Sequence, residues 1–185
     1  MFLTDIFRKN KKINVRVKKL HPKAVIPCYA KAGDAGLDLT AVSRSIDADG
    51  NVVYGTGLAF EIPEGFVGLI YPRSSTAKKN VTLTNSVGVI DSGYRGEILL
   101  KFKPLLGVYD RYAESTRYAV YAESNNMFRV GERVGQIVIM PYPKVQLIEA
   151  EELSHTERGK GGFGSSENDM KFELVNVKVY PNLSE

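Results

Sequence analysis

Apolar and polar residues alternate along several short stretches of this chain. Ile13-Asn14-Val15-Arg16-Val17 has a period of two, as a half-buried strand requires. Leu58 to Ile62 and Phe66 to Ile70 repeat that pattern more loosely. Pro63-Glu64-Gly65 separates them and reads as a hairpin-like turn. Glu97 to Phe102 and Gln136 to Met140 predict two more strands, and Val145 to Ile148 another. Gly and Pro punctuate at close intervals, which favours an all-β sandwich or barrel over an α/β fold. One short helix is expected over Ser74 to Lys79, with Ser74 or Ser75 as its cap.

Two segments depart from strand and turn. Pro104 to Glu132 is long and carries Tyr-Ala-Glu-Ser at residues 112–115 and again at 121–124. One echo is not a repeat architecture, so the segment reads as a surface excursion between core strands. The tail holds Val175, Val177 and Val179 in alternation, which predicts a terminal strand. The expected organisation is a β-barrel domain over residues 1–152, with the excursion at 104–132, and a C-terminal arm over 153–185.

Composition narrows the class. The chain has 185 residues, enough for one well-buried core and short for two. Hydrophobic residues make up 43% and charged residues 25%, as in ordinary soluble domains. The single cysteine, Cys28, excludes an intramolecular disulfide and any Cys-based zinc cage. It reads as a small apolar residue in a strand, and a reducing cytoplasm is the expected compartment (a host's cytoplasm if the source is viral). MFLTDIF is too short for a signal peptide's apolar region or a membrane span. The basic excess between Arg8 and Lys19 reads as a solvated terminus rather than a nucleic-acid arm. A net charge of +4 also suits a polyphosphate ligand.

Five segments concentrate residues that carry chemistry. In Ala32-Gly33-Asp34-Ala35-Gly36-Leu37-Asp38-Leu39, Asp38 stands between two leucines and faces away from them; such a carboxylate can hold hydrated Mg²⁺. Tyr71-Pro72-Arg73-Ser74-Ser75 joins an arginine, the side chain suited to phosphate, with two hydroxyls at a helix start. In NSVGVIDSGYRGE, residues 85–97, Val87, Val89 and Ile90 read as hairpin walls around Gly88. Asp91 at the rim can act as a general base. Tyr94 can stack on a sugar or base, and Asn85 offers the donor and acceptor that a uracil edge demands. In Arg133-Val134-Gly135-Gln136, Gln136 can orient a water or touch a phosphate. Arg158-Gly159-Lys160-Gly161-Gly162-Phe163-Gly164-Ser165-Ser166 formally contains G-x-G-x-x-G. No strand leads into it and no helix with the required acid follows, which excludes a dinucleotide loop; no Gly-Lys-Ser/Thr ends it, which excludes a Walker loop. A cationic Gly-rich arm with one aromatic remains.

Taken in order, these five segments resemble the motifs of the homotrimeric dUTPase family, over roughly Val15 to Ser166; His21-Pro22 and the approach from Pro27 to Ala32 are similar too. The resemblance implies an antiparallel jelly-roll barrel in a homotrimer, with active sites shared between subunits, that hydrolyses dUTP to dUMP and pyrophosphate with Mg²⁺. It implies Asp91 as activator of the attacking water and Gln136 on phosphate or on that water. Tyr94 would lie under deoxyribose, and Asn85 with the adjoining backbone at Val89 would read uracil. Arg73, Ser74 and Ser75 would meet the phosphate chain and Arg158 the terminal phosphate. Phe163 would cover the uracil, Gly164, Ser165 and Ser166 would contact phosphate, and Asp38 would meet Mg²⁺ through water. No membrane and no stable nucleic-acid binding are expected, and the excursion at 104–132 is a candidate surface for a protein partner. Gly93 and Ser75 depart from the residues usual in the family.

Two other readings share this scaffold. dCTP deaminases carry a similar Arg-Ser-Ser, but the catalytic Glu expected ten residues after Asp91 is here Lys101, and Tyr94 replaces a typical Trp. A regulatory binding protein would use the long excursion and need no turnover.

Overall fold

A computed structural model describes residues 12–105 and 127–162. The chain divides into two compact units, residues 1–144 and 145–185. The first carries all ten strands found among the described residues. They are β1 Arg16–Lys19, β2 Leu37–Thr40, β3 Ser43–Ile46, β4 Val52–Gly55, β5 Leu58–Glu61, β6 Phe66–Tyr71, β7 Val81–Leu83, β8 Gly88–Ile90, β9 Leu99–Pro104 and β10 Arg133–Pro141. A 3-10 helix at Ser74–Lys78 is the one helical element described.

The strands form two antiparallel four-stranded sheets, ordered β2-β10-β6-β8 and β3-β4-β9-β7, with a two-stranded ribbon, β1-β5. The all-β antiparallel jelly-roll reading therefore holds. Period-two burial explains why. In β6, Phe66, Gly68 and Ile70 face inward; in β9, Leu100, Phe102 and Pro104 do. Leu39, Tyr54, Leu58, Ile62, Ile98, Phe102, Val134 and Ile137 fill the space between the sheets. Tyr54 and Phe102 meet edge to face at 5.9 Å between ring centres.

Several expectations are corrected. The strand read over Ile13 to Val17 begins only at Arg16, because its partner β5 supplies four residues that pair Arg16 with Glu61 through Lys19 with Leu58. Pro63 to Gly65 does turn the chain, with Gly65 at φ +83° and Phe66 N–H on the Pro63 carbonyl. It is not a hairpin, however: β5 pairs with β1 and β6 with β10 and β8. Val145 to Ile148 forms no strand, finds no partner strand among the described residues and leaves its apolar side chains exposed. Cys28 is exposed and lies outside any strand. Pro104 ends β9, and Met127 and Phe128 are buried core residues. The ends of the expected 104–132 excursion thus belong to the barrel; residues 106–126 lie outside the described residues, as does the strand expected at 172–180.

Candidate active site

Three neighbouring strands of one sheet, β2, β10 and β6, bring four of the sequence-predicted residues to one cleft. Asp38, Arg73, Ser74 and Gln136 line a cavity of about 420 Å³ together with Arg133, Gly36 and Asp34. Asp38 is set by its neighbour Leu39, which is fully buried and turns the carboxylate to the other face of β2. Arg73 follows β6 and Pro72 in an extended conformation. Its Nε donates to Asp38 Oδ1 at 2.6 Å and its Nη2 to Oδ2 at 3.3 Å. Its Nη1 donates to Ser75 Oγ at 3.2 Å.

The helix cap is corrected here. Arg73 occupies the cap position, and no side chain caps the 3-10 helix. A five-residue 3-10 helix begins at the last extended residue, and that residue is Arg73. The Ser74 hydroxyl consequently takes no partner among the described residues and stays free for a ligand.

A β-bulge completes the cleft. Arg133 and Gln136 are three apart, and a regular strand would point them to opposite faces. The register of β10 against β2 slips between Arg133, opposite Thr40, and Gly135, opposite Leu39. The extra residue turns both side chains toward Asp38. Arg133 Nη1 donates to Asp38 Oδ2 at 2.9 Å. Gln136 Nε2 donates to the Pro72 carbonyl at 3.0 Å. A carbonyl only accepts, so this bond settles which end of the amide is nitrogen. Oε1 then lies beside Gly36, 2.2 Å from where a Cβ would stand. Sequence reasoning missed Arg133 and Gly36 as site residues. A bulge leaves little mark in a hydrophobic pattern, although a glycine inside a strand pattern, here Gly135 between Val134 and Gln136, is a signal for one.

Asn85, Val89, Asp91 and Tyr94 sit on one segment elsewhere. The expected hairpin around Gly88 is corrected: Gly88–Ile90 is a single strand paired with β6, whereas β7 pairs with β9 in the other sheet. The link between them turns at Ser86, φ +57°, with its N–H on the Leu83 carbonyl. A Cβ at Gly88 would meet Asn85 Nδ2 at 3.3 Å, so glycine makes the room that the Asn85 amide uses. Val89 is exposed and so is Asp91. The Asp91 carboxylate has no hydrogen bond or ion pair among the described residues. A turn follows, closed by Tyr94 N–H on the Asp91 carbonyl at 3.0 Å.

The first unit holds its candidate groups at two ends of β6. Ile90 pairs with Gly68, so Asp91 leaves the sheet beside Val67. Arg73 lies two residues beyond Tyr71, itself opposite Gln136. Six residues of extended chain separate these points, roughly 20 Å at about 3.3 Å per residue. Within one chain, Asp91 does not reach the Arg73 cleft.

In the second unit, Arg158 Nε donates to the Gly161 carbonyl at 3.2 Å, and Gly159 takes φ +50°. Phe163, Gly164, Ser165 and Ser166 lie outside the described residues.

The cleft gathers two guanidiniums on Asp38, with the Gln136 amide, the Ser74 hydroxyl and a second carboxylate, Asp34, in its lining. On an antiparallel all-β barrel, arginines, an amide and a hydroxyl converging on one cleft are residue types suited to phosphate groups. Residues 22–167 match the model of the dUTPase family. The deoxyuridine 5'-triphosphate nucleotidohydrolase of Hydrogenobaculum sp. (strain Y04AAS1) is 42% identical over 153 residues, covering 81% of this chain and 95% of that protein. Its counterpart in Nautilia profundicola is 40% identical over 158 residues, covering 83% and 99%. Among solved structures, the G164S mutant of the Staphylococcus bacteriophage 80alpha dUTPase with dUpNHpp is similar at a TM-score of 0.67 and 28% identity, covering 84% of this chain and 99% of that one. The chain belongs to the dUTPase family and is by class a dUTP diphosphatase. No helix among the described residues is long and apolar enough to cross a membrane.

Proposed function

We propose that this enzyme cleaves dUTP into dUMP and pyrophosphate by attack of water on the α-phosphorus, in a homotrimer whose sites are each built by more than one chain. The observation that carries the shared site is the separation of Asp91 from Arg73 along β6. A general base must lie within hydrogen-bond reach of its water, so the two groups act on one substrate only when different chains contribute them.

In this reading Asp91 accepts a proton as the water oxygen bonds to the α-phosphorus. The bond from that phosphorus to the α,β-bridging oxygen breaks, and pyrophosphate leaves. Arg73, Ser74 and Ser75 bind the phosphate chain. The Gln136 amide is aligned by Pro72; its second N–H and its Oε1 serve phosphate and water. Asn85 and the backbone at Val89 read uracil, and Tyr94 supports deoxyribose. The arm over 153–185 supplies Arg158 to the terminal phosphate, Phe163 over uracil, and Gly164, Ser165 and Ser166 as further phosphate contacts. Positioning and charge neutralisation dominate phosphoryl transfer, and these residue types supply both.

Mg²⁺ fits this chain in one way. No group of three or more His, Cys, Asp or Glu gathers among the described residues. Both Asp38 oxygens already accept from guanidiniums. A carboxylate has about four lone-pair sites, which leaves Asp38 room for a metal-bound water but not for an inner-sphere metal without losing an arginine. Mg²⁺ keeps waters and binds substrate phosphates readily, so Asp38 would hold it through water. When bound, the ion offsets charge on the triphosphate.

The test is pyrophosphate release from dUTP and from each of the four dNTPs, with and without Mg²⁺. Release from dUTP alone is expected, and comparable turnover of dCTP would refute the specificity. Mixing Asp91→Asn chains with Arg73→Ala chains tests the sharing. Mixed trimers regain activity if each site draws on two chains; no recovery after subunit exchange sinks it.

A further inference from the structure

The segment from Asp91 to Glu97 is laced to itself and to the barrel. The Arg95 guanidinium donates from Nη1 to the Ser92 and Tyr94 carbonyls at 2.6 and 2.9 Å. The Tyr94 hydroxyl donates to the Glu97 carbonyl at 3.0 Å. The Glu97 carboxylate accepts from Gly57 N–H at 2.7 Å, which ties the segment's exit to the turn between β4 and β5. The Tyr94 ring, still 43% exposed, therefore folds back along its own chain.

Only a bare Cα allows that fold. A Cβ at Gly96 would stand 2.4 Å from the Tyr94 hydroxyl oxygen, 2.6 Å from Cζ and 3.0 Å from Cε2. The backbone itself would accept a side chain, because Gly96 is not among the residues with positive φ. The three nearest atoms such a side chain would meet all belong to Tyr94. We propose that Gly96 is a specificity-determining position: it lets the Tyr94 ring lie against the main chain, with its hydroxyl on Glu97, and so sets the floor on which the sugar rests. The inference rests on the reading above in which Tyr94 supports deoxyribose.

A side chain at Gly96 lifts the ring or turns it away. A lifted or absent floor changes the room beneath C2′ of the sugar, and the discrimination between dUTP and UTP falls with it. Small changes of fit in such a pocket are worth about 10- to 200-fold in kcat/KM ratios. Gly96 touches no substrate atom in this account and acts through Tyr94.

The experiment is a double-mutant cycle on the full-length enzyme. The kcat/KM of dUTP and UTP is measured for the parent, Gly96→Ala, Tyr94→Ala and the double variant. Tyrosine ring carbons are labelled for NMR, with Tyr94→Phe assigning the Tyr94 signal. In Gly96→Ala we expect a shifted Tyr94 signal, a thermal midpoint within a few degrees of the parent, and a dUTP:UTP ratio lowered about 10-fold or more. In the Tyr94→Ala background, adding Gly96→Ala changes the ratio no further, because the clashing partner is gone. An unmoved ring signal overturns the proposal. So does an effect of Gly96→Ala that persists without Tyr94, which would mean that the substitution acts on the fold. Tyr94→Ala with an undiminished ratio instead overturns the reading of Tyr94 as the sugar's floor, a distinct failure.

Discussion

Asp38 and Arg73 are joined at two points, Nε to Oδ1 at 2.6 Å and Nη2 to Oδ2 at 3.3 Å, across the cleft between β2 and the end of β6. Each side chain is less than a quarter exposed. The fork holds Arg73 in one orientation, while Arg133 leans on the same carboxylate. Asp38 thus braces two cations that would otherwise repel each other.

Asp38→Asn should loosen both arginines. Charge-assisted bonds of this kind contribute about 1.5–3 kcal/mol, and partial exposure puts the expected loss toward the low end. Urea denaturation should report a lower midpoint, and the KM for dUTP should rise about 10-fold, the equivalent of ~1.4 kcal/mol. Unchanged stability together with unchanged KM would show that the brace contributes nothing. A weaker Mg²⁺ requirement in the variant would point to the bracing role; a need for more Mg²⁺ would point to the water-mediated metal contact.

Asp91→Asn removes the proposed base and keeps the shape. Loss of a general base typically costs about 10²–10⁴-fold in kcat. Binding of a non-hydrolysable dUTP analogue, followed by calorimetry, should stay close to the parent. A variant with near-normal kcat would mean that another group activates the water.

Much of this was legible in the sequence, and the reasons differ by element. β5, β6, β9 and β10 are apolar or alternating runs and form where the pattern predicts strands, although β9 runs two residues later than Glu97 to Phe102 and β10 begins three residues before Gln136. β7 and β8 are three residues each and carry no period of their own. Their division between two sheets depends on β9 and β6, which are distant partners no local pattern encodes. The 3-10 helix starts one residue earlier in its cap than Ser74 because Arg73, drawn to Asp38, keeps an extended backbone. Motif residues were visible by type; their grouping was not. That Asp38, Arg73 and Gln136 share a cleft while Asp91 stands at the other end of β6 follows from strand register alone.

Asp47 gives a pH signature. Its pKa falls from an ordinary 3.8 to about 2, chiefly through the Lys101 ammonium at 3.0 Å, then through the Asn51 side chain and backbone. A carboxylate depressed in the folded state stabilises above its unfolded value and loses that contribution as pH falls through its folded one. The window is therefore about pH 4 down to pH 2. Lys101→Met should lower the thermal midpoint at pH 7, and its deficit against the parent should shrink as pH falls through that window. A deficit independent of pH would assign the loss to packing of the Lys101 stem instead.

The ends of the 106–126 segment meet the barrel side by side, which predicts how far it can be cut. Leu105 N–H donates to the Asn80 carbonyl at 2.8 Å. On the return, Lys79 Nζ donates to the Met127 carbonyl at 3.0 Å and sits 5.3 Å above the Phe128 ring. Both ends are thus tied to consecutive residues just after the 3-10 helix, so a short Gly/Ser linker can replace the segment without pulling the barrel. Phe128 is different. It is 2% exposed, packs on Tyr54 and Phe102, and its carbonyl accepts from the Tyr54 hydroxyl at 2.9 Å. Phe128→Ala should cost about 3–5 kcal/mol, as large-to-small changes in a packed aromatic core do. Loop-closure entropy changes by only about 0.6 kcal/mol per doubling of length, so the linker variant should unfold at a midpoint near the parent's and keep its kcat for dUTP. Guanidinium denaturation of the two variants beside the parent checks both halves. A linker variant that loses as much stability as Phe128→Ala would mean that residues 106–126 belong to the core, and one that folds but fails to form trimers would assign the segment to assembly.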